Sequence, residues 1–475
     1  MAEILTPDIC VIGGGSGGLT VAAAAASFGV DVVLIEKGKM GGDCLNYGCV
    51  PSKAILAAGK HAHAIREAAD FGVFAEEPKV DFRRVNDHIQ SVIASIAPND
   101  SVERFTALGV TVIEAAGKFI DKNTVEAGGK TIRARRFVIA TGSSPFVPPI
   151  PGLADVEYFT NETIFENRRR PAHLVVIGGG PIGMEMAQAH LRLGSKVTMV
   201  EGLKALGKDD PELAGIVLDS LRGEGIEILE GAMVTNVERR GKTGIRVNYK
   251  IGEEIGSVDG SDLLVATGRA VNVNNLGLEE GGIQFDRKGI KVKADLRTSN
   301  RKVYAIGDVA GGLQFTHVAG YHAGLVIRGI LFRKKAVPDN NIIPWATYTD
   351  PELSHVGMAE QEAAKKHRNI RILRWPYHEN DRAQAERKTA GMLKMVTDRK
   401  GRILGVSIAG ANAGEMINLW ALAISKKMTV RDVSAYIPPY PTMTEIGKRA
   451  AITFYAPLTR KPFIRSMIGF LRKFG

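Results

Sequence analysis

The chain has 475 residues, 45% hydrophobic and 24% charged, with 54 glycines, 6% aromatics and three cysteines. That length exceeds what one core serves and points to about three domains; the composition excludes a disordered or fibrous chain, and the thiols are too few for a disulfide scaffold or a four-thiolate zinc site. The net charge of +11 is local: seven basic side chains and no acid fall within residues 446–475, so the body is near balance and a nucleic-acid protein is not indicated.

No basic segment followed by an apolar one opens the chain, and no stretch reaches ~18 apolar residues, so a signal peptide and a spanning helix are not expected. The cytoplasm is the expected location. Residues 8–36, DICVIGGGSGGLTVAAAAASFGVDVVLIE, predict strand, glycine turn, helix and strand, with Gly13, Gly15 and Gly18 in G-x-G-x-x-G spacing. The first glycine permits the turn, the second lets backbone approach a pyrophosphate, and the third lets helix pack on strand. Glu36 stands where an acid accepts hydrogen bonds from an adenosine ribose.

GGDCLNYGCVPSK (41–53) follows at once. Cys44 and Cys49 are not C-x-x-C; on their own they read either as a redox pair, helped by a helix N-terminus that lowers a thiol pKa, or as two structural cysteines. Cys10, inside the first strand, reads as structural. FVIATGSSP (137–145) predicts a closing strand, and the Pro-rich SSPFVPPIPG (143–152) marks a boundary.

Residues 173–201, HLVVIGGGPIGMEMAQAHLRLGSKVTMVE, repeat residues 8–36 at a constant offset of 165, with Gly178, Gly180 and Gly183 as the glycines and Glu201 as the acid. DLLVATGRA (262–270) echoes the closing strand. Two in-register copies predict a chain that binds two dinucleotides.

The segment GGDCLNYGCVPSK resembles the redox signature GG-T-C-x-N-x-G-C-x-P-S-K of the class I pyridine nucleotide-disulfide oxidoreductases, the flavoproteins that include lipoamide dehydrogenase, glutathione reductase and mercuric reductase. YAIGDVAG (304–311) and WATYTDPELSHVG (345–357) are similar to later segments in the same order. The resemblance implies an α/β fold: an FAD-binding domain over 1–152 and 271–343, an NAD-binding domain over 153–270, an α+β dimerisation domain over 344–455, and a basic tail over 456–475. It further implies FAD held by Gly13, Gly15, Gly18, Glu36, Lys53, Gly117, Thr141, Gly142, Asp308 and Thr316. A nicotinamide dinucleotide would be held by Gly178, Gly180, Ile182, Gly183, Glu201 and Gly268. Cys49 would face the flavin, Cys44 would attack the substrate, and Lys53 would pair with Glu185. The implied protein is a homodimer passing electrons from NAD(P)H through FAD to Cys44–Cys49, and on to a small disulfide or thiol-reactive acceptor.

Two positions set the finer reading. Glu201 would repel a 2′-phosphate, which favours NADH over NADPH, with Lys204 the nearby counter-signal. The family's C-terminal H-P-x-x-x-E, supplied by the partner subunit, here reads Tyr440, Pro441 and Glu445, with a cis bond expected before the proline. A phenol titrates near ~10 and an imidazole near ~6.5, so Tyr440 is a proton donor and a poor base. That counts against efficient dihydrolipoamide oxidation. Mercuric reductases also carry tyrosine there, yet no cysteine follows Cys49 to deliver a metal. Two alternatives stay open: electron transfer from the flavin to quinone or oxygen, and a flavoprotein subunit of a multienzyme complex. The last twenty residues predict a basic amphipathic helix with Phe463, Ile464, Met467, Ile468 and Leu471 as its stripe. It reads either as contact with a membrane surface or acidic partner, or as a tail packed on the body or the partner subunit.

Overall fold

The computed structural model describes residues 3–241 and 244–474. Met1, Ala2 and Gly475, at the ends of the expected first domain and tail, and Lys242 and Thr243, inside the expected second domain, lie outside the described residues. The chain divides into two units, Met1–Gly202 with Ile228–Pro338, and Leu203–Glu227 with Asp339–Gly475.

The first unit shows the α/β fold expected, and it shows it twice. One parallel sheet runs Val303–Ala305, Arg136–Ile139, Ile9–Ile12, Val32–Glu36, Val110–Glu114. A second runs Asp262–Val265, His173–Ile177, Lys196–Glu201, Glu227–Glu230, the same order without the outer strand. In each copy an antiparallel three-stranded meander interrupts the sequence before the closing strand: Lys118–Asp121, Thr124–Ala127 and Lys130–Ile132 in the first, Met233–Arg240, Gly244–Ile251 and Glu254–Gly260 in the second. These parallel strands are near-continuous apolar runs because both faces are covered. Ile9, Val11, Val32 and Leu34 belong to one core, while Cys10, Ile12, Val33 and Ile35 belong to the core on the other face. Cys10 is thus a packing residue, as its place in the strand suggested.

In the second unit, a five-stranded antiparallel sheet runs Trp345–Thr347, Glu352–Gly357, Ile403–Gly410, Met392–Asp398, Ile370–Pro376. Trp420, on helix Ala413–Ser425, and Tyr377 fill its core with Ile446 and Ala450 of helix Glu445–Thr453. The helix Pro211–Glu224, inside the expected second nucleotide domain, packs with this unit. Its start is bound there by charge. Lys394, 5% exposed, reaches Asp210 at 2.8 Å, Glu212 at 2.9 Å and Glu360 at 2.6 Å. Arg374 adds a two-pronged bond to Glu212 at 2.8 and 2.9 Å. Burial works against the Lys394 ammonium, but its bonds to the three carboxylates outweigh burial and raise its pKa. Arg374 leads in holding Glu212 down to about 2.

Residues 456–474, the described part of the expected tail, do not form one helix. Ala456–Arg460 is a 3-10 turn, and the helix covers only Pro462–Leu471. The cause is Pro462, which disfavours helical backbone at the residue before it; Lys461 accordingly has φ −74 and ψ 124.

Replacing Lys394 by Met leaves three carboxylates converging without their cation. We expect a loss of about 3 kcal/mol, measured as a lower thermal midpoint, whereas Lys394→Arg keeps most of the stability. An unchanged midpoint for Lys394→Met would show that the cluster contributes nothing net.

Candidate active site

The two glycine turns are the same object built twice. Helices Ser16–Ser27 and Pro181–Arg192 coincide under the 165-residue offset, and Gly13 and Gly178 share φ +112. A β-carbon on Gly13 would sit 2.4 Å from the Ala140 oxygen, and one on Gly178 2.4 Å from that of Ala266. One on Gly18 would sit 1.8 Å from the Gly13 oxygen, and one on Gly183 2.0 Å from that of Gly178. These four positions are closed to side chains by the protein itself. The middle glycines differ. Gly15 and Gly180 have φ −86 and −78, open to any residue. A β-carbon would meet nothing nearer than 3.9 Å on Gly15 and nothing within 4 Å on Gly180. Neither packing nor backbone conformation demands glycine there, whereas close approach of an external pyrophosphate to a helix N-terminus does. The residues present therefore fit two dinucleotides.

The acids have a task beyond the expected ribose contact. Glu36 accepts from Gly14 N–H at 2.5 Å and Gly38 N–H at 2.7 Å, and Glu201 accepts from Gly179 N–H at 2.6 Å. Each carboxylate pins its own glycine loop, and a carboxylate has lone pairs left for a ribose hydroxyl.

Cys44 lies in the short helix Gly42–Asn46, entered through Gly41 at φ +83, and Cys49 is the first residue of helix Cys49–Glu67. Asn46 fastens the turn by donating to the Met40 and Gly42 carbonyls at 3.0 and 2.8 Å. Neither sulfur is in a disulfide, and Cys44 hydrogen-bonds Cys49. The hydrogen bond from Cys44 is the main reason Cys49 falls to about 6; the Thr316 hydroxyl, 3.5 Å away, and the Lys53 charge add to it against burial. The same bond, then burial and the Cys49 charge, push Cys44 up. At neutral pH Cys49 is the thiolate and Cys44 carries the proton.

Lys53, one helical turn after Cys49, meets Glu185 at 2.7 Å, and Glu185 is only 6% exposed. Close helix packing makes this contact: a β-carbon on Gly59 would stand 3.3 Å from the Ala189 oxygen, and Arg66 donates to the Arg192 carbonyl at 2.7 Å. Gly59 and Arg66 were not singled out from sequence, where a lone mid-helix glycine carries no flag.

Asp308 accepts from the Ser143 hydroxyl at 2.5 Å; burial raises its pKa despite that bond. Ser143 also takes two bonds from Arg269, which continues to Asp43 at 3.0 Å, and Asp43 accepts from Asn161. This chain ties the residue beside Cys44 to Asp308. Sequence reading missed Asp43, Asn161, Ser143 and Arg269, although Arg269 directly follows Gly268 in the second Ala-Thr-Gly echo. Thr141 donates to the Asn272 carbonyl at 2.8 Å. Gly142 and Gly268 have φ +67 and +127 with open space around them. A β-carbon on Gly117 would crowd Ile35, and Ile182 is partly exposed at the start of its helix.

Tyr440 and Glu445 belong to the other unit. The Tyr440–Pro441 bond is cis, as expected. Tyr440 is 70% exposed, and its hydroxyl donates to Asp381 at 2.8 Å, which raises the phenol's pKa. Glu445 pairs with Arg449 at 3.1 Å. The carboxylate that holds Tyr440 is thus Asp381, a residue 59 positions away that no motif announces.

Residues 7–323 match the pyridine nucleotide-disulphide oxidoreductase family and residues 343–451 its dimerisation domain. Mercuric reductase of Lysinibacillus sphaericus is 34% identical over 450 residues, covering 94% of this chain and 82% of that protein. Dihydrolipoyl dehydrogenase of Geobacillus stearothermophilus is 34% identical over 453 residues, covering 94% and 95%. The solved Cu(II) complex of the HOCl-induced flavoprotein disulfide reductase RclA from Escherichia coli superposes with a TM-score of 0.84 at 27% identity, covering 93% of this chain and 98% of that one.

In the reduced protein, alkylation by iodoacetamide should follow a thiolate titrating near 6. Lys53→Met and Thr316→Val should each move that titration upward, because each removes a group that favours the anion. An unmoved profile in both variants would refute this account of the thiolate.

Proposed function

The chain belongs to the pyridine nucleotide-disulphide oxidoreductase family, and from that premise we propose that it is an NADH-driven reductase of disulfides or soft metal ions. The family's cofactors are FAD and a pyridine nucleotide, and its dimerisation domain makes the protein a homodimer. The free Cys44–Cys49 pair at the start of the helix whose Lys53 meets Glu185 at 2.7 Å carries the reading. FAD, when bound, would supply the two-electron relay between the nicotinamide and the Cys44–Cys49 disulfide.

The protein's own groups handle the rest. The hydrogen bond from Cys44, with the Thr316 hydroxyl and the Lys53 charge, holds Cys49 anionic at neutral pH. Cys44 gives its proton to Cys49 as it attacks the acceptor disulfide, forming a mixed disulfide and expelling one thiolate. As the Tyr440 phenol protonates the first expelled thiolate, Cys49 returns that proton to the phenolate and closes on Cys44, expelling the second thiolate and leaving the Cys44–Cys49 disulfide for the next two electrons. Tyr440 of the partner subunit is proposed as the proton donor to an expelled thiolate once its hydroxyl releases Asp381, with Glu445 five residues on. The phenol is protonated at neutral pH and so a poor base, which weighs against dithiol oxidation; to serve as a donor its hydrogen must leave Asp381, whose bond raises its pKa. The relatives' names, a mercuric reductase and a Cu(II)-binding disulfide reductase, support soft metal ions as a second substrate class. Glu201, at the end of its strand, supports NADH over NADPH.

The FAD residues proposed are Gly13, Gly15, Gly18, Glu36, Lys53, Gly117, Thr141, Gly142, Asp308 and Thr316. Gly178, Gly180, Ile182, Gly183, Glu201 and Gly268 are proposed for the nicotinamide dinucleotide. Domains are proposed over 1–152 with 271–343, 153–270 and 344–455. A cytoplasmic location is proposed too, and the exposed tail helix supports peripheral contact with a membrane. Among the described residues no helix is long and apolar enough to cross one.

An NADH-oxidation screen against disulfides, Hg(II), Cu(II), quinones and oxygen tests the assignment. Cys44→Ser should abolish turnover with disulfides and metal ions; if it does not, electrons leave from the flavin and the thiols are bystanders. Anaerobic two-electron reduction should produce a long-wavelength absorbance from the Cys49 thiolate against the flavin, and Cys49→Ser should lack it. Tyr440→Phe should slow disulfide reduction by about 10²-fold, and Tyr440→His should raise dihydrolipoamide oxidation. NADH should exceed NADPH in kcat/KM by at least about tenfold, the effect of roughly 1.4 kcal/mol of charge repulsion, and Glu201→Gln should narrow the gap.

A further inference from the structure

We propose that the helix Pro462–Leu471 is an interfacial anchor that lies flat on an anionic phospholipid surface. The anchor presupposes the membrane contact proposed above and adds to it a lipid class and an orientation.

None of the ten residues of this helix is buried. At ~100° per residue, Phe463, Ile464, Met467, Ile468, Phe470 and Leu471 fall within an arc of about 160°. Arg465, Ser466, Gly469 and Arg472 occupy the opposite side. Phe463 is 75% exposed, and Phe470 meets Phe474 edge-on at 5.0 Å, which extends the apolar side past the helix end. Contiguous apolar surface of this kind marks a contact face.

Charge identifies the partner. Glu445 is the last acid of the chain and is paired with Arg449. Beyond it, Arg460 and Lys461 precede the helix, Arg465 sits within it and Arg472 and Lys473 follow it, with no acid among them. An apolar protein groove would take up the stripe but would use the cations only if its rim were acidic. A bilayer of acidic lipid supplies both halves: acyl chains for the aromatic and aliphatic side, and a plane of phosphates for the cations. Ten residues span about 15 Å, half the hydrocarbon thickness of ~30 Å, so the helix lies in the interface and does not cross it.

Cosedimentation of the full-length, FAD-loaded protein with phosphatidylcholine vesicles, with and without phosphatidylglycerol, tests the anchor. Binding should require phosphatidylglycerol and weaken as salt is raised. The double variant Phe463→Glu with Leu471→Glu should lose at least about tenfold in partitioning, and Arg465→Glu with Arg472→Glu should lose the dependence on acidic lipid. Neither variant should alter NADH turnover without vesicles or the mass in solution. Equal binding to both vesicle types overturns the lipid class and leaves peripheral contact standing; binding to neither overturns both. Dissociation of the dimer by the tail variants would show that the helix covers the partner subunit, which also overturns the anchor. The redox assignment is untouched by any of these outcomes, since its variants read out on turnover.

Discussion

A side chain at Gly18 or Gly183 would run into the backbone of its own turn, 1.8 or 2.0 Å from a carbonyl oxygen. That contact sets how closely helix approaches strand, and the rest of the first unit is arranged around it. With the helix this near, its N-terminal N–H groups point at the tip of the strand, where a phosphate gains most from them. Each acid at the end of the next strand locks the loop through one further bond, to Gly14 in one copy and Gly179 in the other. The turn is therefore held from both sides before any ligand arrives.

The copies diverge where chemistry is needed. After Glu36 the first copy inserts the cysteine segment, while the second continues toward helix Pro211–Glu224 and its charged contact with the other sheet. At the Ala-Thr-Gly echo the first copy has Ser143 and the second has Arg269, and these two residues bond to each other. The resulting chain from Asp43 to Asp308 exists because duplicated turns face one another across a two-stranded pairing. Equivalent positions in a repeat became complementary partners.

Within the thiol pair, local contact outweighs burial. Burial alone would raise both cysteines, as it does Cys10. Cys49 falls because a hydrogen bond from Cys44, the Thr316 hydroxyl and the Lys53 charge together exceed that penalty. Cys44 gains the proton that Cys49 gives up. A dithiol with one anion and one proton is poised for exchange at neutral pH. The phenol at position 440 donates to Asp381, which raises its pKa.

The two glycine turns, their strands and acids, the cysteine signature and the Lys53–Glu185 pairing were all legible in the sequence, the last through family resemblance. Local patterns suffice there because strand alternation, the turn's glycine demand and helix-start chemistry act over a few neighbouring residues. Gly59, Arg269, Asp381 and the Lys394 cluster were not legible, since each matters through a residue far away in the chain. A long-range contact leaves no periodic trace: Asp381 is an ordinary surface acid until the fold sets it 2.8 Å from Tyr440. The tail divides the same way. Its amphipathic spacing is written in the sequence, but only the folded chain, with Pro462 starting the helix late and no side chain of it buried, decides that the stripe faces outward. Spacing defines a face, and packing decides what covers it.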